Sequence, residues 1–131
     1  MANIRVLIIE DDLFWGDLLS GAFKRHGYEV AWFVRAELVG ADGVKLMDPD
    51  GKTATLKADE HDVALIDGRL SFSNLYGWHL TPRVVAAGLP VIAISGADGF
   101  NEQMLEAGAR QKFAKHDLFM ALAKKDFVLS L

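Results

Sequence analysis

The chain has 131 residues, of which 51% are hydrophobic and 24% charged, and its formal net charge is −4. This length suffices for one domain with its own core, and an acidic balance without a Lys/Arg run disfavours direct nucleic-acid binding. The absence of cysteine excludes disulfides and thiolate zinc sites. The longest apolar runs are too short for a membrane span or a signal peptide, so we expect a cytoplasmic protein that does not bind membranes.

The first third of the chain predicts a strand, a helix and a second strand. The short apolar run VLII predicts a buried strand over Arg5–Ile9. Apolar residues at four-residue spacing predict a helix over Leu13–His26, with Asp12 as its N-cap and Gly27 as its C-terminal stop. A second strand is expected over Glu29–Phe33.

The segment 34–62 breaks this alternation. A second helix is predicted around Ala36–Val39. Apolar and polar residues then alternate over Val44–Leu46 and Ala54–Leu56, on either side of the turn-forming sequence DPDG at Asp48–Gly51. We interpret this as a β-hairpin inserted between the second helix and the third strand. A polar surface loop is the alternative.

The rest of the chain again alternates strands with helices, which predicts an α/β fold with a doubly wound parallel sheet of five strands. The expected elements are a strand over Val63–Ile66, a helix within Tyr76–Ala87, a strand over Pro90–Ile94, a helix over Asn101–Glu106, a short strand over Lys112–Ala114 and a helix that begins after its N-cap Asp117.

Polar residues follow the predicted strands at the points where the strands end. Glu10 and Asp11 follow the first strand, Asp67 the third, Ser95 the fourth and Lys115 the fifth. The carboxyl ends of parallel strands meet at one edge of the sheet, where such folds bind their ligands. Clustered carboxylates repel one another, so this edge predicts a cation site.

With these residues the chain resembles the receiver domains of response regulators in two-component signalling. The matching segments are VLIIEDD, DVALIDGRL, PVIAISG and GARQKFAK, which follow one another in the family's order and span essentially the whole chain. The resemblance implies one CheY-like receiver domain over residues 1–131, with flavodoxin-like strand order 2-1-3-4-5. It also implies a signalling module rather than an enzyme.

By this resemblance Asp67 is the phosphoacceptor, Ser95 the switch hydroxyl and Lys115 the lysine that pairs with the phosphoryl group. A histidine kinase or phosphotransfer protein would supply the phosphoryl group, and an unknown downstream protein would bind the product. No output domain follows within the sequence, so the chain either acts alone or is part of a larger protein.

The resemblance further implies a Mg²⁺ site formed by the carboxylates of Glu10, Asp11 and Asp67 and the backbone carbonyl of Arg69. Mg²⁺ favours oxygen ligands and binds through a few carboxylates together with phosphate and water. The family pattern is broken at two other positions. Lys112 occupies the place of the switch aromatic residue, and His116 replaces the proline that follows the lysine.

Other functions remain open at this stage. The departures near Asp67 and Lys112 also fit a pseudo-receiver that serves as a constitutive interaction platform. An aspartate-nucleophile phosphatase needs an acid/base carboxylate two residues after the nucleophile, where this chain has Arg69. A flavin-binding electron carrier must hold a phosphate in its first loop, which the acidic residues after the first strand would repel.

The last predicted helix carries apolar residues on two sides. If it continued over 118–131, one stripe would pack on the sheet and the other would remain for a partner, which suggests a homodimer. The first stripe consists of Leu118, Leu122 and Leu129, and the second of Met120, Phe127 and Leu131. The alternative is that the final residues leave the helix and fold Phe127 back onto the core.

Overall fold

Strands and helices alternate through most of the computed structural model, which describes residues 3–70, 75–95 and 98–129. Besides a short 3₁₀ turn over Ala58–Glu60, the elements in chain order are β1 (Arg5–Ile9), α1 (Leu13–Arg25), β2 (Glu29–Phe33), β3 (Arg35–Val39), β4 (Gly43–Met47), β5 (Thr53–Thr55), β6 (Val63–Asp67), β7 (Arg69–Leu70), β8 (Leu75–Tyr76), α2 (Gly77–Ala86), β9 (Val91–Ile94), α3 (Asp98–Glu106), β10 (Gln111–Phe113) and α4 (Lys115–Leu122).

The central sheet contains five parallel strands in the order β2-β1-β6-β9-β10. Numbered as the five strands of this sheet, the order is 2-1-3-4-5, so the predicted doubly wound fold is confirmed. The strands lie within about one residue of their predicted ranges, because short apolar runs bounded by polar residues mark buried parallel strands well.

Both faces of the central sheet are covered, since successive strand residues point to opposite sides. Val6 and Ile8 pack in a core with α1 and α4. Leu7 and Ile9 pack in a second core with α2, α3 and the inserted strands. The carboxyl ends of the five strands therefore remain the accessible edge where a site can form.

The prediction of a second helix around Ala36–Val39 is wrong. These residues lie in β3, which pairs with β4 in an antiparallel sheet completed by β5. Ala36 faces Leu46 across the pair, both within the core, while Glu37 faces Lys45 on the outer side. A four-residue apolar segment is too short to define a helical period, so pairing with β4 decides its structure. The predicted hairpin is confirmed as β4 and β5.

The helix ends show which local signals were sufficient. The Asp12 side chain accepts a hydrogen bond from the backbone N–H of Trp15 at 3.1 Å, so the predicted N-cap is confirmed. The last helix, in contrast, begins at Lys115 with Ala114 as its N-cap. Asp117 therefore lies in the first turn, where its negative charge complements the helix dipole, and its prediction as the cap is wrong.

The last helix ends at Leu122, so the continuous helix assumed for the dimer is wrong. The chain turns back, and the backbone N–H of Leu129 donates a hydrogen bond to the Tyr28 hydroxyl. The His26 ring nitrogens lie 3.1 Å and 2.5 Å from the carbonyl oxygens of Leu122 and Phe127. Phe127 packs against the core that Val6 and Ile8 form with α1 and α4, as the alternative prediction had it, while Leu131 lies outside the described residues. The homodimer stays a prediction, but the second apolar stripe that suggested it does not exist as a continuous helical face.

This folded-back segment predicts effects of very different size when two adjacent side chains are shortened. Leu129 is 4% exposed and Val128 is 71% exposed. Leu129→Ala should lower the free energy of unfolding by about 2–4 kcal/mol, whereas Val128→Ala should change it by less than about 0.5 kcal/mol. Urea unfolding followed by circular dichroism measures both. Equal effects of the two changes would contradict the described packing of the segment.

Candidate functional site: an acidic edge with one lysine

The five residues predicted at the carboxyl edge of the sheet lie together in the structure. Glu10 and Asp11 directly follow β1, Asp67 ends β6, Ser95 follows β9, and Lys115 begins α4 after β10. Strand register aligns Ile9 with Ile66 and Asp67 with Ile94, which brings these ends level with one another. All five residues are buried, with at most 9% of each exposed.

Three carboxyl groups form the centre of this site. Oxygen atoms of Glu10, Asp11 and Asp67 lie within 4.8 Å of one another, a grouping that could hold a metal ion. Oε2 of Glu10 is buried and has no hydrogen-bond partner among the described residues. The donor set contains only carboxylate oxygens, which suits a hard cation such as Mg²⁺. The residues present therefore fit the cation that the sequence predicts.

Lys115 is the positive charge of the site. Its ammonium group contacts a carboxylate oxygen of Glu10 and lies 3.3 Å from Oδ2 of Asp67. Burial lowers the pKa of Lys115, but the nearby carboxylates of Asp67 and Glu10 outweigh it, so the pKa is raised above its usual value. Lys115 thus stays charged and bridges the ends of β1 and β6.

Glu10 is the group of the cluster that most resists ionisation. Burial, followed by the adjacent Asp67 carboxylate, raises the pKa of Glu10 to about 9, although Lys115 acts in the opposite direction. In the absence of a cation the cluster therefore keeps one proton near neutral pH. A divalent cation would stabilise the ionised form of Glu10.

Ser95 stands beside the end of β6. Its backbone N–H donates a hydrogen bond to the carbonyl oxygen of Phe113 at 3.2 Å, which ties it to β10. A Cβ atom placed on Gly68 would lie 3.4 Å from the Ser95 hydroxyl oxygen. The hydroxyl therefore lies next to the residue that follows Asp67. Residues 96–97, which follow Ser95, lie outside the described residues.

Arg69 lies at the start of β7, and its side chain is exposed. In the described part of the chain the ion-pair partner of Glu10 is Lys115, not Arg69. The role of the Arg69 carbonyl as a metal ligand stays a prediction. The segment at 71–74, within the stretch after Asp67, lies outside the described residues.

Two glycines that the sequence did not single out determine how closely the helices approach the site. A Cβ atom on Gly77, the first residue of α2, would lie 2.2 Å from the carbonyl oxygen of Asp67. A Cβ atom on Gly68 would lie 2.7 Å from Cβ of Phe100 in α3. A side chain at either position would push a helix away from Asp67. A single glycine in a sequence does not indicate which backbone or side chain it faces, so these two contacts have no signal in the sequence.

Lys112 of β10 stands where the resemblance to receiver domains assigns an aromatic residue, and the structure shows what it contacts instead. Lys112 is exposed and forms an ion pair with Glu102 of α3. Phe113, one residue along, packs in the core on the opposite side of the sheet, with its ring 6.4 Å from that of Phe127. The position that the resemblance assigns to a switch aromatic is therefore occupied by a charged pair.

Comparison with solved structures identifies the fold. The response regulator receiver domain from Rhodospirillum rubrum superposes on this chain with a TM-score of 0.65 and 20% sequence identity. The match covers 91% of this chain and 88% of the Rhodospirillum rubrum chain. The receiver domain of sensor histidine kinase PA1611 from Pseudomonas aeruginosa PAO1 was solved with magnesium in its active-site cleft. Its match covers 92% of this chain and 95% of the PA1611 domain, with a TM-score of 0.60 and 19% sequence identity. This chain has the fold of a response regulator receiver domain.

Comparison of sequences gives a more distant result. The chain is 27% identical over 104 residues to the uncharacterized transcriptional regulatory protein YbdJ of Bacillus subtilis (strain 168). The match covers 79% of this chain and 40% of that protein, so the chain spans about two fifths of the curated relative. No protein-family model matches the sequence. The resemblance to receiver domains is confirmed by the fold.

No helix within residues 3–70, 75–95 and 98–129 has both the length and the apolar character needed to cross a membrane.

The raised pKa of Glu10 predicts how the stability of the cation-free protein depends on pH. Between about pH 4.5 and pH 9 the folded state keeps a proton that the unfolded chain has released, so stability falls as pH rises through this range. Glu10→Gln removes this penalty. At pH 8 without Mg²⁺ this substitution should raise the melting temperature, by roughly 3–5 °C for each kcal/mol added to the free energy of unfolding. The increase should become smaller towards pH 5.

Differential scanning calorimetry at several pH values measures this effect. The control is Glu106→Gln, which neutralises an exposed glutamate at the end of α3. A melting temperature for Glu10→Gln that stays below that of the unmodified chain across the whole pH range would contradict the assignment. It would mean that the ionised Glu10 holds the structure together through Lys115.

Cation binding should depend on Asp11, which is 9% exposed and belongs to the carboxylate cluster. Mg²⁺ retains several waters, so we expect weak binding in the resting protein. Asp11→Ala should lower the affinity for Mg²⁺ at least tenfold, as titration calorimetry can measure. Asp17→Ala, a change on α1 away from the cluster, serves as the control. Equal affinities for the two variants would place the cation elsewhere.

Proposed function

We propose that this chain is a receiver domain that accepts a phosphoryl group on Asp67 and thereby changes its affinity for a partner protein. The observation that carries this proposal is the contact of Lys115 with both Glu10 and Asp67 inside a cluster of three carboxyl groups. The receiver fold around the cluster supports it.

The proposed reaction uses Asp67 as the nucleophile. One of its carboxylate oxygens attacks phosphorus and forms an acyl phosphate, while the bond between phosphorus and a nitrogen of the donor histidine breaks and leaves that nitrogen with the electron pair. Lys115, 3.3 Å from Asp67, pairs with the phosphoryl oxygens as they approach. Bound Mg²⁺, held by Glu10, Asp11 and Asp67, would neutralise the charge that gathers there.

The Ser95 hydroxyl then makes an interaction that distinguishes the phosphorylated protein from the unphosphorylated one. It lies beside Gly68, one residue from Asp67, and it can donate a hydrogen bond to a phosphoryl oxygen only after transfer. An interaction present in one state alone can shift a conformational equilibrium. The donor protein in this proposal is a histidine kinase or phosphotransfer protein. The downstream partner is a protein whose chemistry the site does not specify.

The geometry disfavours the enzyme alternative. A phosphatase of the aspartate type needs a carboxyl group two residues after its nucleophile, and this position holds the exposed Arg69. Asp67 has the Lys115 ammonium group at 3.3 Å and the carboxyl groups of Glu10 and Asp11 within 4.8 Å. Glu10 approaches from β1, at the base of the cluster, where it is completely buried. The site therefore suits the formation of a phosphoryl-aspartate better than its hydrolysis.

Incubation with Mg²⁺ and acetyl phosphate, followed by intact-mass spectrometry, tests the proposal. The chain should gain one phosphoryl group, and Asp67→Asn should gain none. The control variant Asp59→Asn replaces an exposed aspartate before β6 and should be labelled like the unmodified chain. Labelling of Asp67→Asn would refute the assignment of Asp67. A complete lack of labelling in every variant would instead favour the pseudo-receiver.

A further inference from the structure

Glu10 lies beyond the end of β1, where the strand ladder no longer satisfies its whole backbone. Its N–H group still donates a hydrogen bond to the carbonyl oxygen of Phe33 at 3.0 Å. Its own carbonyl group, in a completely buried residue, needs another donor. The indole Nε1–H of Trp32 donates to this carbonyl oxygen at 2.9 Å. A side chain of β2 thus completes the hydrogen bonding of the Glu10 backbone.

The position of the indole ring depends on Gly16 in α1. A Cβ atom on Gly16 would lie 2.0 Å from Cζ2 of Trp32 and 2.5 Å from its Nε1. No other glycine in the described part of the chain faces an aromatic ring so closely. The missing side chain leaves a slot in α1 that the indole fills. β2, α1 and the Glu10 carbonyl therefore fix the ring together.

We propose that Trp32 is a positioning residue of the cation site. The carbonyl that it binds belongs to the peptide group joining Glu10 to Asp11, so the indole fixes the backbone plane from which both carboxylates extend. This inference rests on the proposed function, because it concerns the same cation. It adds a residue outside the acidic cluster to the machinery of the site. Loss of a group that orients metal ligands through a hydrogen bond typically lowers metal affinity ten- to a hundredfold.

Trp32→Phe is the sharpest test, because it keeps an aromatic side chain on β2 and removes the N–H donor together with the part of the indole that faces Gly16. We expect its Mg²⁺ affinity, measured by titration calorimetry, to fall about tenfold. The matched control is Trp15→Phe, since Trp15 is a half-buried tryptophan of α1 whose ring contacts Phe14. Its affinity should equal that of the unmodified chain. Equal affinities for the Trp32 and Trp15 variants would overturn the inference.

A spectroscopic measurement separates positioning from a general loss of stability. The chain has three tryptophans, so the double variant Trp15→Phe/Trp78→Phe keeps Trp32 as its only indole fluorophore. Addition of Mg²⁺ should change the emission of this protein over the same concentration range in which calorimetry detects binding. An unchanged emission at saturating Mg²⁺ would overturn the inference even if Trp32→Phe fails to fold.

The two proposals fail in different ways in these experiments. If the unmodified chain binds no Mg²⁺, the cation site of the proposed function is wrong, and the role of Trp32 falls with it. Suppose instead that the unmodified chain binds Mg²⁺, that Trp32→Phe leaves the affinity unchanged and that Mg²⁺ leaves the Trp32 emission unchanged. Then only the positioning role of Trp32 is wrong. Gly16→Ala gives an independent third arm, because it displaces the indole and should lower the affinity as Trp32→Phe does.

Discussion

The close approach of like charges at one edge of the sheet is the constraint on which the rest of the site depends. Two carboxylates about 5 Å apart repel by roughly 3 kcal/mol at an effective dielectric near 20. Here Glu10, Asp11 and Asp67 lie closer than this, and Lys115 is the one ammonium that contacts two of them in the described residues. A retained proton on Glu10 relieves part of the repulsion. A cation bound by the cluster would relieve the rest of it.

The surrounding fold holds this repulsive cluster in place because the strands that carry it lie in the interior of the sheet. β1 and β6 are flanked by strands on both sides, and most of their residues are completely buried between two helical layers. Gly77 and Gly68 then allow α2 and α3 to pack directly against the backbone around Asp67. Because no side chain separates Gly77 from the carbonyl group of Asp67, a shift of the Asp67 main chain would move α2 directly.

Sequence reasoning succeeded where residues act through local pattern. The runs VLII and VALI predicted β1 and β6, and the polar residues that end them predicted which side chains meet at the edge. Asp12 was identified as a cap from its position alone. These features depend on alternation, burial and chain-order rules, which a single sequence expresses directly.

The failures have a different cause, since they depend on pairing and packing with other segments of the chain. Ala36–Val39 is a strand because β4 pairs with it, and the chain after Leu122 leaves the helix because Tyr28 and His26 bind it. Trp32 reads in sequence as one more apolar residue of a strand. Only the structure shows its indole between Gly16 and the carbonyl of Glu10.

Under the proposed function, the ion pair of Lys112 and Glu102 would limit how a change at Ser95 reaches the outer face of α3 and β10. Both partners are exposed, and such pairs contribute at most about 1 kcal/mol and weaken with salt. A rotating aromatic ring would exchange far more buried area, but Phe113 is held on the opposite side against Phe127. Under the proposed function, a signal passing through this face would rearrange the charges of Lys112 and Glu102 and would not bury a ring.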